Sequence, residues 1–248
     1  MLVATAVPAE RDAVARSFTG SGTDPGAGTG REVRLPGVTV HRLPPFGNGA
    51  QVAVDLAVVG VGPGRAAAAT AAALTAAALD GDPYQLVVSA GIAGGFAPAA
   101  PVGSLVVADE ITAADLGAET ADGFVPVTAL GFGTVSHRPP ETLVRDLTAA
   151  SGARAGTVLT VSTVTGSAAR AAALRARHPG ALAEAMEGFG VAEAAALAGL
   201  PVLEIRAISN PVGPRDRAAW RIADALAELT VGFGKFAPVL GSWKPYDR

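Results

Sequence analysis

The stretch from residue 51 to residue 89, QVAVDLAVVGVGPGRAAAATAAALTAAALDGDPYQLVVS, decides the fold class. Its first part, Gln51–Val59, is apolar and rich in valine and reads as a strand. The turn Gly60-Val61-Gly62-Pro63-Gly64 then opens a segment from Arg65 to about Leu79 that is almost all alanine. It reads as a helix, because alanine has the highest helix propensity and packs closely on a sheet. Leu86–Ser89 follows as a continuous apolar run, the pattern of a strand buried on both faces. Strand, tight turn, helix and strand in this order make a βαβ unit of a parallel sheet.

The same alternation runs outward in both directions. Leu2–Val7 reads as a strand and Glu10–Phe18 as a helix. Residues Thr19–Gly30 (TGSGTDPGAGTG) form a low-complexity segment expected to be a mobile loop. Val38–Arg42 reads as a strand that reaches Gln51–Val59 through Asn48-Gly49, a hairpin signal. Ser104–Ala108, Thr157–Thr163 and Val202–Ile208 are further strands. The last two bracket a helix expected over Ala181–Ala198, and Arg217–Val231 closes the chain as a helix. No linker or repeat divides these elements, so residues 1–248 are expected to form one α/β domain around a largely parallel sheet.

Composition narrows the function. At 17% charged and 50% hydrophobic residues, the chain has ample material for a core. Nineteen basic against 22 acidic residues leave a net charge of −3 and no footprint for nucleic acid. The absence of cysteine removes disulfides, thiol nucleophiles and cysteine-bound zinc. Only His41, His137 and His178 are present, too scattered to suggest a metal site. The N-terminus has no basic flank and soon meets Pro8 and Glu10, and no run of ~20 strongly apolar residues appears. A cytoplasmic protein without membrane association is expected.

The glycine clusters invite a nucleotide reading. Gly60-x-Gly62-x-Gly64 lacks the last glycine of a dinucleotide fingerprint, since Arg65 stands there, and Asp80 follows a helix instead of a strand. A phosphate-binding loop of the lysine type is also missing. The cluster reads better as a tight strand-to-helix turn. Three polar residues sit where α/β folds place chemistry, at the C-terminal ends of strands. Glu10 follows the first strand, although a first-turn helix acid complementing the dipole would look the same. Glu187, in Ala185-Met186-Glu187-Gly188, lies among alanines where an unpaired carboxylate is costly. Asn210 ends IRAISN and precedes Pro211, where a plain turn residue is the alternative.

Together, AVPAE near the start, VVSAGIAGGFAPAAPVGSLVVADEI, AMEGFGVAEAA and IRAISN resemble the nucleoside phosphorylase superfamily, over nearly the whole chain and in the right order. The likeness is greatest to its hydrolytic branch, the methylthioadenosine/S-adenosylhomocysteine nucleosidases. Within that branch, ADLGAETADGFVPVTALGFG and ISNPVGPRD resemble the futalosine hydrolases. The resemblance implies a three-layer fold with a mixed, largely parallel sheet between helices. It implies cleavage of futalosine to hypoxanthine and dehypoxanthine futalosine, in menaquinone biosynthesis, without a metal or organic cofactor.

The resemblance also implies roles. Glu10 falls at the acid that activates water, and Met186 and Glu187 in the ribose-binding segment. Gly91, Ile92 and Ala93, with Thr163 and Val164, fall in segments near sugar and base, and Trp220 at an aromatic lining the pocket. Asn210 stands where adenine-specific nucleosidases carry an aspartate. Its amide suits a 6-oxopurine, donating to O6 and accepting from N7–H. An amide cannot protonate the purine, so that proton comes through water or from Asp216. Arg31, Arg34, His41 and Arg42 are candidates for the benzoate end of the substrate. A homo-oligomer, a dimer or larger, is implied, with Phe124 or Phe132 reaching a neighbour's pocket. Three rivals remain: a phosphate-dependent phosphorylase, an adenine-type nucleosidase and a non-catalytic nucleoside binder. Against the first, Ser89 stands where phosphorylases tend to carry an arginine.

Overall fold

The computed structural model describes residues 1–18, 30–45 and 52–244. The first half contains β1 (Leu2–Thr5), α1 (Pro8–Phe18), β2 (Arg31–Leu35), β3 (Val38–Arg42), β4 (Asp55–Val58), α2 (Pro63–Leu79), β5 (Val87–Gly95) and β6 (Leu105–Ala113). Then come β7 (Gly117–Thr120), β8 (Gly123–Pro126), β9 (Ser136–His137), α3 (Glu141–Ser151), β10 (Arg154–Thr160) and α4 (Ala168–Arg177). The chain ends with β11 (Ala181–Ala185), α5 (Gly188–Leu197), β12 (Val202–Pro211), a short 3-10 turn (Arg217–Ala219) and α6 (Ile222–Ser242).

One sheet organises the molecule, in the order β2-β3-β4-β1-β5-β12-β6-β10-β11, with β9 added beside β6. The run β4-β1-β5-β12 is parallel, as is β6-β10-β11. The two runs meet where β12 pairs antiparallel with β6. The sheet is therefore mixed and largely parallel, in agreement with the expected class. It also curls. β11 pairs antiparallel with the end of β5, Ala183 opposite Gly95 and Glu184 opposite Gly94, so β5-β12-β6-β10-β11 closes on itself.

Helices cover both faces. On one, α2 and α5 pack through small residues, Ala66, Ala69, Ala73, Ala192 and Ala195. On the other, α3 and α6 bury Leu143, Leu147, Leu229, Phe233 and Phe236, and α1 adds Ala13 and Val14. The glycine turn before α2 behaves as read from its pattern: Gly60 and Gly62 take φ of 85° and 90°, and Pro63 starts the helix.

Two expected helices are corrected. Ala181–Ala198 is not one helix: Ala181–Ala185 is β11, and α5 begins only at Gly188. Pairing to β10 and β5 overrides the helix propensity of alanine there. The closing helix starts at Ile222 and runs to Ser242, leaving Trp220 in extended backbone after the 3-10 turn. Several strands run longer than expected or end elsewhere, and β2, β7, β8, β9, α3 and α4 are elements the sequence pattern does not indicate. The Asn48-Gly49 hairpin signal and, apart from Gly30, the expected loop at 19–30 lie outside the described residues.

The close approach of α5 to the start of α2 depends on Gly190, where a Cβ would run into the backbone carbonyl of Pro63. Gly190→Ala should therefore destabilise the fold by about 1–3 kcal/mol, because backbone cannot rotate aside. Gly234→Ala, on the exposed side of α6 with open space at its Cβ, should be neutral or gain up to ~1 kcal/mol. Urea midpoints for both variants measure the contrast; similar midpoints would contradict the packing argument.

Candidate active site

The ends of β1, β5, β11 and β12 open onto a cleft of about 370 Å³. Open α/β sheets place ligands outside the C-terminal ends of their strands, and this cleft sits there. A cavity of about 360 Å³ at the opposite end of β1, beside Met1, Asp55 and Tyr84, includes Arg42 of the candidate residues but none of those expected near sugar or base.

Glu10 lies in the first turn of α1, and its side chain is buried. Its carboxylate is fixed by three backbone donors. Oε2 accepts from Ala6 N at 3.0 Å and Val7 N at 3.2 Å, and Oε1 accepts from Ile92 N at 2.9 Å. It also lines the cleft. Burial raises its pKa above the ordinary glutamate value, and the charge of Glu187 adds to the rise. Arg206 and the donors from Ile92 and Val7 oppose it.

Glu187 is the residue before α5, held where the chain turns from β11 into the helix. Its Oε1 accepts from Gly62 N at 3.2 Å, and its Oε2 lies 3.5 Å from Arg206 Nη2. The glycine turn before α2 therefore supports a cleft carboxylate as well as starting a helix.

Arg206 was not singled out in the sequence. It is 1% exposed, one of the largest fully buried side chains. Its Nε donates to Glu204 Oε1 at 2.8 Å, and Nη2 donates to Ser89 Oγ at 3.1 Å. Glu204 and Arg206, two apart on β12, face the same way. Burial would lower the guanidinium pKa, yet Glu204, Glu187 and Glu10 together raise it. Glu204 itself, with no exposure, is pushed upward by burial. The sequence signal was present in Val-Leu-Glu-Ile-Arg-Ala-Ile: two charges at strand spacing inside an apolar run.

Asn210 reaches the cleft through an irregularity in β12. Ile208 pairs with Ala93, but the next partner, Gly94, faces Asn210 and not Ser209. The extra residue is a bulge, a device that re-aims a side chain at a site. Asn210 Oδ1 accepts from Ser209 Oγ at 2.8 Å, and Nδ2 donates to Pro211 O at 3.0 Å.

Among the other candidates, Ile92, Ala93, Val164, Met186 and Trp220 line the cleft. Gly91 lies behind it: a Cβ there would come within 2.5 Å of Glu10 Oε1 and 2.8 Å of Arg206 Nη1. Thr163 is exposed beside the cleft, whose wall is made by Val164 and Thr165 instead. Asp216 is not brought in. It is exposed, its Oδ1 accepts from Ala218 N at 3.0 Å, and it caps the 3-10 turn. Arg31, Arg34, His41 and Arg42 belong to β2 and β3 and do not line the cleft; Arg42 pairs with Asp55 at 2.9 Å. Phe124 lies under the Arg177 guanidinium, and Phe132 is 69% exposed. Glu184, unmentioned by the sequence reading, lines the cleft and is buried.

Among the described residues, no group of three metal-ligating side chains occurs and no helix is long and apolar enough to cross a membrane.

Comparison with known proteins shows the family and the fold. Residues 6–232 match the model of the phosphorylase superfamily. The futalosine hydrolase of Streptomyces coelicolor is 72% identical over 248 residues, covering 100% of this chain and 99% of that one. Among solved structures, the 5′-methylthioadenosine/S-adenosylhomocysteine nucleosidase of S. pneumoniae superimposes with a TM-score of 0.76 at 22% identity, covering 96% of this chain and 98% of that one. The futalosine hydrolase of Helicobacter pylori also gives a TM-score of 0.76, at 18% identity over 95% of this chain and 96% of that one. These two likenesses concern the fold, whereas the first relative matches in sequence from end to end. The chain belongs to the phosphorylase superfamily and, within it, to the futalosine hydrolases.

Proposed function

We propose that this chain hydrolyses the N-glycosidic bond of futalosine to hypoxanthine and dehypoxanthine futalosine, in menaquinone biosynthesis. The observation that carries the mechanism is Glu10, a buried carboxylate facing the cleft and held still by three backbone N–H groups. In the reaction, the C1′–N9 bond breaks through an oxocarbenium-like state, as in other glycosyl cleavages. Glu10 accepts a proton from the water that attacks C1′. Glu187 accepts hydrogen bonds from the ribose hydroxyls, with Met186 against the sugar.

Asn210 serves the leaving group. Its second N–H donates to O6 and its Oδ1 accepts from N7–H, so charge building on the purine is relieved there. The proton on N7 arrives through water, since the amide is not an acid and Asp216 caps a turn outside the cleft. Water as nucleophile is supported by Arg206. Three carboxylates surround this buried guanidinium, and a phosphate would meet their charge as well. We also place the enzyme in the cytoplasm, and as a homo-oligomer for which the exposed Phe132 ring offers a contact.

The direct test is incubation with futalosine, inosine and methylthioadenosine, with and without phosphate. Hypoxanthine released from futalosine in phosphate-free buffer is the expected result. Release that requires phosphate would make the chain a phosphorylase.

Glu10→Gln keeps the shape but not the base, and kcat should fall at least ~10²-fold in a protein that still folds, although its NH₂ faces a backbone N–H and costs about 1–3 kcal/mol of stability. Near-normal turnover would remove Glu10 from the chemistry.

Because Glu10 works as the carboxylate and its pKa is raised, kcat/KM should fall on the acid side with a midpoint above the ordinary glutamate value. Replacing Arg206 by Gln removes a positive charge that opposes the rise, so the midpoint moves to higher pH. The same change strands buried carboxylates and should cost about 3–5 kcal/mol of stability. An acid limb that does not move in a folded Arg206→Gln protein would separate the two groups.

Asn210→Asp should narrow or reverse the preference for futalosine over its 6-amino analogue, since a carboxylate accepts from an amino group. Sites that hydrogen-bond a substrate group discriminate by up to ~10⁴–10⁵, and a partly solvated one by less. An unchanged ratio of kcat/KM would remove Asn210 from base recognition.

A further inference from the structure

One buried carboxylate in the cleft has no part in the mechanism above. Glu184 lies on β11, 5% exposed, and lines the cleft. Both its oxygens are held by one residue, Thr165, whose N donates to Oε1 at 2.8 Å and whose hydroxyl bonds Oε2. No cation pairs with it among the described residues. Burial pushes its pKa upward, and the two Thr165 donors pull it back. A carboxylate so placed has lone pairs left for a donor that comes from the cleft.

The sheet closure determines what lies beside it. Glu184 is the cross-strand partner of Gly94 on one side, and Asn210 is the partner of the same Gly94 on the other. Register partners point to one face, and neighbouring strands are ~4.8 Å apart. Glu184 and Asn210 therefore flank Gly94, where a Cβ would come 3.1 Å from the Val212 Cγ2 methyl and 3.3 Å from Asn210 Nδ2. The row Glu184–Gly94–Asn210, with Val212 over the glycine, gives the cleft an acceptor on one side and a mixed donor and acceptor on the other.

We propose that Glu184 is a specificity-determining residue that reads position 1 of the purine, accepting a hydrogen bond from the N1–H of a 6-oxopurine. The inference rests on the futalosine reading and extends it. Along the edge of hypoxanthine the order is N1–H, O6, N7. With Asn210 on O6 and N7, the next group along that edge is N1–H, on the Glu184 side. Adenine carries a lone pair at N1, which would face the carboxylate without a proton between them. Glu184 thus rejects a 6-aminopurine at N1, independently of the rejection at position six by Asn210.

The test compares kcat/KM for futalosine and its 6-amino analogue on wild type and Glu184→Gln, a substitution of the same shape. The glutamine NH₂ donates to a lone pair, so the variant should lose at least about tenfold on futalosine while use of the 6-amino analogue holds or rises. A merely structural role would lower both alike and leave their ratio unchanged, which overturns the inference. Inhibition of the wild type by hypoxanthine and 1-methylhypoxanthine needs no variant. Hypoxanthine should bind at least about tenfold better, because only it offers N1–H, and equal inhibition would also overturn the assignment. Wild type that fails to cleave futalosine at all would instead defeat the functional reading on which the inference stands.

Discussion

The cleft is organised by a single buried guanidinium. Arg206 comes from β12, and the groups around it come from elsewhere: Glu10 from α1, Glu187 from the entry to α5, and Ser89 from β5. Glu204, two residues back on the same strand, completes the set. Such an ion network is not by itself a source of stability, since its desolvation offsets much of its attraction. Its effect is conditional. Once one member is buried, the others must stay within reach of it, and the elements that carry them are locked into one arrangement. The same charge opposes the upward pKa shift that burial gives Glu10, and so favours its carboxylate form.

The second constraint is topological. A flat parallel sheet would leave β11 and β5 at a distance, separated by β10, β6 and β12. Closure of the strands brings β11 back against the end of β5, and the bulge at Ser209 shifts β12 by one residue. Without that shift Ser209 would face Gly94, and Asn210 would point to the other face. Two irregularities, one in topology and one in register, therefore place an amide and a carboxylate on either side of a glycine. Neither appears in local propensity, because each depends on pairing between segments far apart in the chain.

This explains what was legible in the sequence and what was not. Glu10, the glycine turn before α2 and Asn210 at the end of a strand could be read locally, because strand–turn–helix junctions carry their own residue signals. Residues 181–198 could not, since alanine looks helical whether or not neighbouring strands claim it; the break at Glu187 follows from pairing to β10 and β5. Arg206 and Glu204 sat in plain view inside an apolar strand, and the spacing of two was signal enough to pair them. Glu184 had no such signal: its meaning comes from Thr165 and Gly94, distant in sequence. Asp216 shows the converse, an acid close to a functional segment whose carboxylate is used by its own turn.

The arrangement also separates two tasks along the cleft. Glu10 and Glu187 share Arg206 and, in the proposed reaction, serve the sugar, whereas Glu184 and Asn210 share Gly94 and serve the base. Positioned general-base catalysis typically contributes ~10²–10⁴-fold, less than a glycosidic cleavage requires, so stabilisation of the departing purine must supply much of the rest. That makes recognition of the base part of the chemistry. The hydrogen bond donated to O6 strengthens as negative charge moves onto the ring, the acceptor at N7–H holds the proton that neutralises it, and a contact at N1–H is present before and after cleavage. In the proposed reaction Asn210 then lowers the barrier, and Glu184 chooses which purine reaches it.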